Sequence, residues 1–183
     1  MKKMNAKQKL IIQRIPNIPN FPTKGIQFKD VTPILACPKT LLTTTNELAK
    51  IAKKYHFDYI VAPESRGFFF GIPLAQALKK PFVPIRKKGK LPRPTVTVTE
   101  HIEYADVSLQ IHKDDIKPGS RVLIVDDLLA TGGTVKAIIK LLKLLKAKPV
   151  AILFVVELPD LNGRHLFDNL GIPLHAIVQL SGK

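Results

Sequence analysis

The sequence predicts an α/β fold, a central, mostly parallel five-stranded sheet flanked by helices. Five short, largely apolar runs have strand length: "DYIVAPE", "PFVPIRK", "SRVLIVDD", "PVAILFVVEL" and "PLHAIVQL". Near-continuous apolar character, rather than strict alternation, marks strands covered on both faces, as parallel strands are. Between these runs stand segments of helical period, among them "CPKTLLTTTNELAKIAKKY" and "GGTVKAIIKLLKLLKAK". The 183 residues suffice for one domain, 1–183, with a substantial core.

Taken in order, residues 1–15 read as a short basic helix, stopped by the proline pattern "RIPNIPNFP". "FPTKGIQFKDVTPIL" is broken by Pro and Gly into loops and small strands, and residues 1–36 are expected to form a small N-terminal hood over one end of the sheet. The next helix has apolar residues at Leu41, Leu48, Ile51, Ala52 and Tyr55, with Pro38 suited to its first turn. After "DYIVAPE", the segment "RGFFFGIPLAQALKK" predicts a helix despite Pro73. The Thr- and Val-rich "RPTVTVTEHIEYADVSLQIHK" alternates, giving hairpin arms at 95–99 and 106–112 within a flexible lid at 93–113. Residues 133–147 form a strong amphipathic helix with Lys136, Lys140, Lys143 and Lys146 on one face. "LNGRHLFDNLG" predicts a short helix before the last strand.

Composition narrows the function classes. Apolar residues at 45% and charged residues at 23% describe an ordinary globular chain. The single cysteine, Cys37, excludes an internal disulfide framework and reads as a small buried hydrophobe rather than a nucleophile. The apolar part of the basic N-terminus, Leu10 to Ile12, is too short for a signal-peptide core, and no stretch approaches the roughly 18 residues of a membrane span. The expected location is cytoplasmic, without a membrane partner. Lys and Arg number 29 against 14 Asp and Glu, for a net charge of +15. The excess is dispersed, with no zinc spacing and no aromatic RNA-binding signature, so nucleic acid is not the expected partner. A solvated lysine-rich surface accounts for most of it; Arg66, Arg86, Lys87 and Lys90 are the candidates for a polyanionic small ligand.

The chemistry concentrates in "VLIVDDLLATGGT", Val122 to Thr134. A strand hands over to a helix at Thr131, Gly132, Gly133 and Thr134, where unpaired N–H groups and the helix dipole attract an anion. The spacing of a nucleoside-triphosphate P-loop is absent, as is G-x-G-x-x-G. Asp126 and Asp127 just before this cradle suit ribose hydroxyls or a divalent metal, and the plain alternative is a helix start beside two solvated acids.

This motif resembles the phosphoribosyl pyrophosphate (PRPP) signature of the type I phosphoribosyltransferases, and the resemblance extends over nearly the whole chain. "FPTKGIQFKDVTPIL", "ESRGFFFG", "PIRKKGKLP", "IEYADVSLQIHKDDIKPG" and "VVEL" follow the order of the adenine-specific branch. The resemblance implies transfer of the 5-phosphoribosyl group from PRPP to adenine, giving AMP and pyrophosphate, in a Mg²⁺-dependent purine-salvage reaction by a homodimer. It assigns Asp126 and Asp127 to the ribose hydroxyls. Within the same signature, Leu128, Leu129, Ala130, Thr131, Gly132, Gly133 and Thr134 make up the rest of the ribose 5′-phosphate segment, with the cradle itself at 130–134. Ser65, Arg66 and Gly67 match the pyrophosphate loop, often reached through a non-proline cis peptide, and Arg86, Lys87 and Lys90 bring further positive charge, partly across the dimer. Phe28 and Leu158 would sandwich adenine, while main-chain groups of Gln27 and Lys29 read its edge. Glu103 would exchange a proton at adenine N7, with Tyr104 and Arg66 near the reacting centre. Mg²⁺ would be bound mainly through PRPP and water.

The sequence departs from the family pattern at Lys24, Lys29, His101 and Ala105, none of them in the PRPP signature. Ala130 stands where the hypoxanthine-guanine enzymes carry a general-base aspartate, which favours adenine over a 6-oxopurine. The other readings are the same fold acting on xanthine or hypoxanthine-guanine, a PRPP-sensing regulator that binds nucleic acid, and a plain α/β scaffold.

Overall fold

The structure, a computed structural model, describes residues 4–102 and 105–182. The chain enters through α1 (Ala6–Ile12), opened by a capping box in which Asn5 and Gln8 each accept from the other's backbone N–H. Among the described residues, the basic helix expected over 1–15 spans seven. An antiparallel ribbon follows, β1 (Asn17–Pro19) with β2 (Gln27–Lys29), then the single turn α2 (Thr32–Leu35). α3 (Pro38–Ala52) begins with proline in its first turn, and Cys37 before it is half-buried rather than buried. β3 (Tyr59–Pro63), α4 (Arg66–Leu78) and β4 (Phe82–Lys87) make the first βαβ unit. The hairpin of β5 (Thr95–Ile102) and β6 (Ala105–His112) leads to β7 (Arg121–Leu129), α5 (Gly133–Leu144) and β8 (Lys148–Glu157). Two 3-10 turns, Pro159–Leu161 and Gly163–Leu170, stand where a short helix was expected, before β9 (Leu174–Gln179).

The five expected strands are parallel neighbours in the order β4-β3-β7-β8-β9. The hairpin extends them to a seven-stranded sheet, β6 pairing antiparallel with β4 through Arg86↔Gln110 and Lys87↔Leu109. Alternation along β7 and β8 divides the core between two faces. Leu123, Val125, Leu153 and Val155 pack with Leu48, Phe70 and Leu74 of α3 and α4. Val122, Ile124, Ile152 and Phe154 pack with Ile138, Leu141 and Leu142 of α5. Burial on both faces is why these strands read as unbroken apolar runs. Strand order reverses between β3 and β7, so the crevice beyond their carboxyl ends is where a ligand would sit. The loop after β3 and the carboxylates at the end of β7 meet there.

Among the described residues no helix is long and apolar enough to cross a membrane.

Candidate active site

Three backbone features build the site. After β3, the Glu64–Ser65 peptide is cis and α4 starts at once, with no side chain capping its N-terminus. After β7, Gly132 adopts φ +85° and α5 starts, again without a side-chain cap. The N–H of Lys136 is bonded to Gly132 O at 3.0 Å, so the N–H groups of the preceding turn stay outside the helical ladder. Two helix starts, each with free donors and the positive end of a dipole, therefore flank one crevice. The third feature is close approach: a Cβ on Gly67 would lie 2.8 Å from Pro63 Cδ and 3.0 Å from Asp126 Oδ1. Only glycine lets α4 seat this tightly against β7.

The crevice holds about 180 Å³ and is lined by Arg66, Asp126, Asp127, the run 128–135 and Phe154. Asp126 and Asp127 are buried, and the Asp127 N–H donates to Asp126 Oδ1 at 2.8 Å. Burial, and then the neighbouring Asp127 carboxylate, push the Asp126 carboxyl well above its ordinary range. Burial raises Asp127 as well, against the pull of Arg66. Arg66 Nε stands 3.0 Å from Asp127 Oδ2, within ion-pair distance, yet its N–H is not aimed at that oxygen, which has no hydrogen-bond partner. A buried, desolvated carboxylate oxygen facing a crevice suits a ligand donor or cation.

Arg66 also joins β2 to the sheet: its guanidinium lies 5.3 Å from the centre of the Phe28 ring, which in turn meets Phe21 edge-on at 5.0 Å. β2 is turned usefully. Asn20 N–H donates to Ile26 O and Asp30 N–H to Pro16 O. By antiparallel alternation, Gln27 and Lys29 then direct their main-chain groups away from β1, to the free edge of the ribbon. Their side chains are occupied with Asn17, which donates to Gln27 Oε1 at 2.7 Å and accepts from Lys29 Nζ at 2.8 Å.

Arg86 reaches the same region by donating through Nε to Glu64 Oε2, the residue before the cis peptide. The turn of Lys87 and Lys90 is exposed and outside the crevice lining, pinned by Gly89 N–H to Gln110 Oε1 at 2.9 Å. Leu158 is buried, its N–H bonded to Leu129 O at 2.9 Å. Glu103 and Tyr104 lie outside the described residues. Among the described residues no group of three or more His, Cys, Asp or Glu could hold a metal; the acids facing the crevice are Asp126 and Asp127.

The family described as "Phosphoribosyl transferase domain" matches residues 32–170. An adenine phosphoribosyltransferase of Clostridium botulinum (strain Loch Maree / Type A3) is 48% identical over 176 residues, 96% of this chain and 98% of its own. The chain belongs to the adenine phosphoribosyltransferase family. Another member, from Lachnoclostridium phytofermentans, is 43% identical over 175 residues, covering 96% of this chain and 99% of its own. Among solved structures, the adenine phosphoribosyltransferase of Thermoanaerobacter pseudethanolicus superposes with a TM-score of 0.91 at 46% identity, over 94% of this chain and 99% of that one. The enzyme of Saccharomyces cerevisiae, solved with adenine and an imino-altritol bisphosphate, gives 0.87 at 37% identity, over 96% and 100%.

Sequence reasoning missed two parts of this candidate site. Phe154 lines the crevice from β8, where its strand reads only as apolar. Gly163 presses on Ala130 from the far end of the chain: a Cβ there would lie 2.1 Å from Ala130 O. The Gly-Arg in "LNGRHL" is its only local signal.

Proposed function

We propose that this chain transfers the 5-phosphoribosyl group of PRPP to adenine, releasing pyrophosphate and forming AMP. The observation that carries the reading is the buried Asp126–Asp127 pair opening directly onto the uncapped start of α5. A phosphorylated ribose matches that order of groups. The dianionic 5′-phosphate takes the N–H groups and dipole of the 130–134 turn, while the carboxylates accept from the 2′ and 3′ hydroxyls. Arg66, at ion-pair distance from Asp127, faces the pyrophosphate with the free donors of 65–67; Arg86, steadied by Glu64, adds charge, as do Lys87 and Lys90.

Adenine stacks on Phe28, with Leu158 closing the other side. The outward main chain of Gln27 and Lys29 accepts from the 6-amino group and donates to N1. A 6-oxopurine would oppose its own acceptor to that carbonyl, leaving a polar pair unmatched at a cost of about 1–3 kcal/mol. N9 attacks C1′, the C1′–O bond breaks with its electron pair leaving on pyrophosphate, and a proton passes from the base through N7 to Glu103. Ala130 has no group to take it. Mg²⁺ would be held mainly through PRPP and water and would supply charge neutralisation on the leaving group; Asp127 Oδ2, which accepts no hydrogen bond and has Arg66 Nε at 3.0 Å, would face its water shell. Residues 1–36 act as hood and 93–113 as a lid that excludes water. A cytoplasmic homodimer, sharing the basic 86–90 turn across its interface, completes the reading; a fully active monomer in solution would remove that shared charge.

AMP formation from labelled adenine, PRPP and Mg²⁺ tests this, with hypoxanthine and guanine as competitors and Glu103→Gln and Asp127→Asn as variants. Adenine-selective turnover that collapses in both variants is expected. Turnover preferring hypoxanthine would overturn the base assignment, and PRPP binding without any turnover would favour a sensor.

A further inference from the structure

We infer that Arg164, clamped to Glu157, is a positioning residue for the 5′-phosphate cradle, though it touches no part of the crevice. This rests on the reading of 130–134 as that cradle. The floor under the cradle is the 3-10 turn Gly163–Leu170, from a part of the chain thirty residues later. The two backbones are in direct contact. A Cβ on Gly163 would lie 2.1 Å from Ala130 O and 2.9 Å from Thr131 C; one on Gly132 would lie 3.0 Å from Gly163 O and 3.1 Å from Phe167 Cε2. With no side chain between them, any shift of the turn is passed to residues 130–132 undiminished.

What fixes the turn is a guanidinium fork. Arg164 donates from Nε to Glu157 Oε1 at 2.7 Å, from Nη2 to Oε2 at 2.6 Å, and from Nη1 to Leu174 O at 3.0 Å. Glu157 is 2% exposed and receives a further bond from Gln179 Nε2 at 3.0 Å. It is the last residue of β8 and pairs across the sheet with Leu129 on one side and Gln179 on the other. Leu129 is the residue before the cradle. The carboxylate is thus registered to the cradle through the sheet, and Arg164 transfers that register to the turn beneath it. Arg164 is absent from the crevice lining, so it acts through Gly163.

Such a clamp governs one subsite. Pyrophosphate is read from the 65–67 loop and the adenine edge from Gln27 and Lys29 of β2, both on other elements; Leu158, next to Glu157, keeps its place through its own N–H bond to Leu129 O. Binding of PRPP, ribose 5-phosphate and pyrophosphate to the full chain, measured by calorimetry for Arg164→Gln, Arg164→Lys and Glu157→Gln, separates the cases. In Arg164→Gln, ribose 5-phosphate and PRPP weaken by about tenfold to a hundredfold, as a misplacement near 1 Å would cause, while pyrophosphate affinity and adenine KM stay within about twofold. Arg164→Lys lies between, because an ammonium cannot reproduce the fork. Equal weakening of both ligands, or a lowered Tm with ribose 5-phosphate binding intact, would overturn the inference and leave Arg164 a structural residue. A Thr131→Asp variant, which sets a negative charge in the cradle against the phosphate, separates this from the cradle reading. If it loses ribose 5-phosphate while Arg164→Gln does not, only the clamp fails; if it binds normally, the cradle assignment fails first. Should Arg164→Gln not fold, the Lys and Glu157→Gln variants make the same comparison.

Discussion

Adding one methyl group at Gly67 tests how closely the first turn of α4 must lie to the β7 carboxylates. In Gly67→Ala the new Cβ would sit 2.8 Å from Pro63 Cδ, 3.0 Å from Asp126 Oδ1 and 3.3 Å from Ala62 Cβ. Carbon contacts settle at about 3.5–4.0 Å, so α4 must part from β3, and with it from Asp126 on neighbouring β7, by roughly 0.7 Å or more. Pro63 and Ala62 belong to a buried strand and cannot swing aside. Overpacking of this kind costs about 1–3 kcal/mol, a fall in Tm of roughly 2–12 °C for a chain this long. The functional cost is larger, because Arg66 and Asp126 ride on the two surfaces being separated. Displacement near 1 Å in a preorganised site costs about a hundredfold in rate. Differential scanning calorimetry and initial rates of AMP formation over a grid of adenine and PRPP concentrations give both numbers. A variant with unchanged Tm and unchanged kcat/KM would refute the argument. A lowered Tm with intact kcat/KM would show that the strain relaxes away from the carboxylates.

Three further outcomes follow from the site and its surroundings. Asp126→Asn keeps an acceptor for the Asp127 N–H but removes a carboxyl whose charged form burial disfavours, so Tm rises at a pH above the folded titration of that carboxyl, while PRPP binding weakens roughly ten- to hundredfold. Because the folded Asp126 carboxyl titrates above its unfolded value near about 3.9, the native protein loses stability as pH rises from there through the folded value. A Tm-versus-pH scan in which wild type and Asn variant run parallel across that window contradicts the assignment. Phe28→Ala should raise adenine KM while Lys29→Ala leaves it nearly unchanged, since the Lys29 side chain is spent on Asn17; a strong Lys29 effect would mean that the side chain reads the base. Glu100, buried on β5, is held by Lys140 and, at 3.2 Å, by Lys136 of α5. Removing both lysines (Lys136→Met with Lys140→Met) strands its charge and should speed amide exchange in β5 more than Glu100→Gln does, and the reverse order would show that the ion pairs do not hold the hairpin.

Local pattern made the centre of the site legible. An apolar run ending in Asp126–Asp127 and followed by Thr-Gly-Gly-Thr states a strand, a turn and a helix start within thirteen residues, and these fall where expected. The five parallel strands were equally readable, since burial on both faces leaves an apolar run. What escaped were contacts between distant segments. Gly163 lies thirty residues beyond the cradle it supports, and nothing in "NGR" says which backbone it meets. Glu100 lies just past the 95–99 arm read from the sequence and carries no local signal, and Lys136 and Lys140 read as a solvated face; only the packing of hairpin on α5 makes them partners. The pairing of β6 with β4, which turns the hairpin into a continuation of the sheet, depends on Arg86 and Lys87 sharing a register with Leu109 and Gln110. Periodicity identifies elements, and such couplings appear only once the elements are docked.

The docking of α1 on α3 and β9 carries a consequence for how the protein is made. α1 buries Ile11 completely, and Gln8 Nε2 donates to Ile177 O at 2.8 Å across 169 residues of sequence, on the last strand of the sheet. At about 5–20 residues per second, the ribosome leaves α1 without that partner for roughly 8–34 s. Over that interval its apolar stripe is open to solvent and to chaperones, and β9 has yet to cover the edge of β8. α1 thus finds its place only once a strand 169 residues later has been made, and long-range closure of this kind slows folding. Newly made enzyme should become resistant to proteolysis at α1 only after β9 has been released from the exit tunnel.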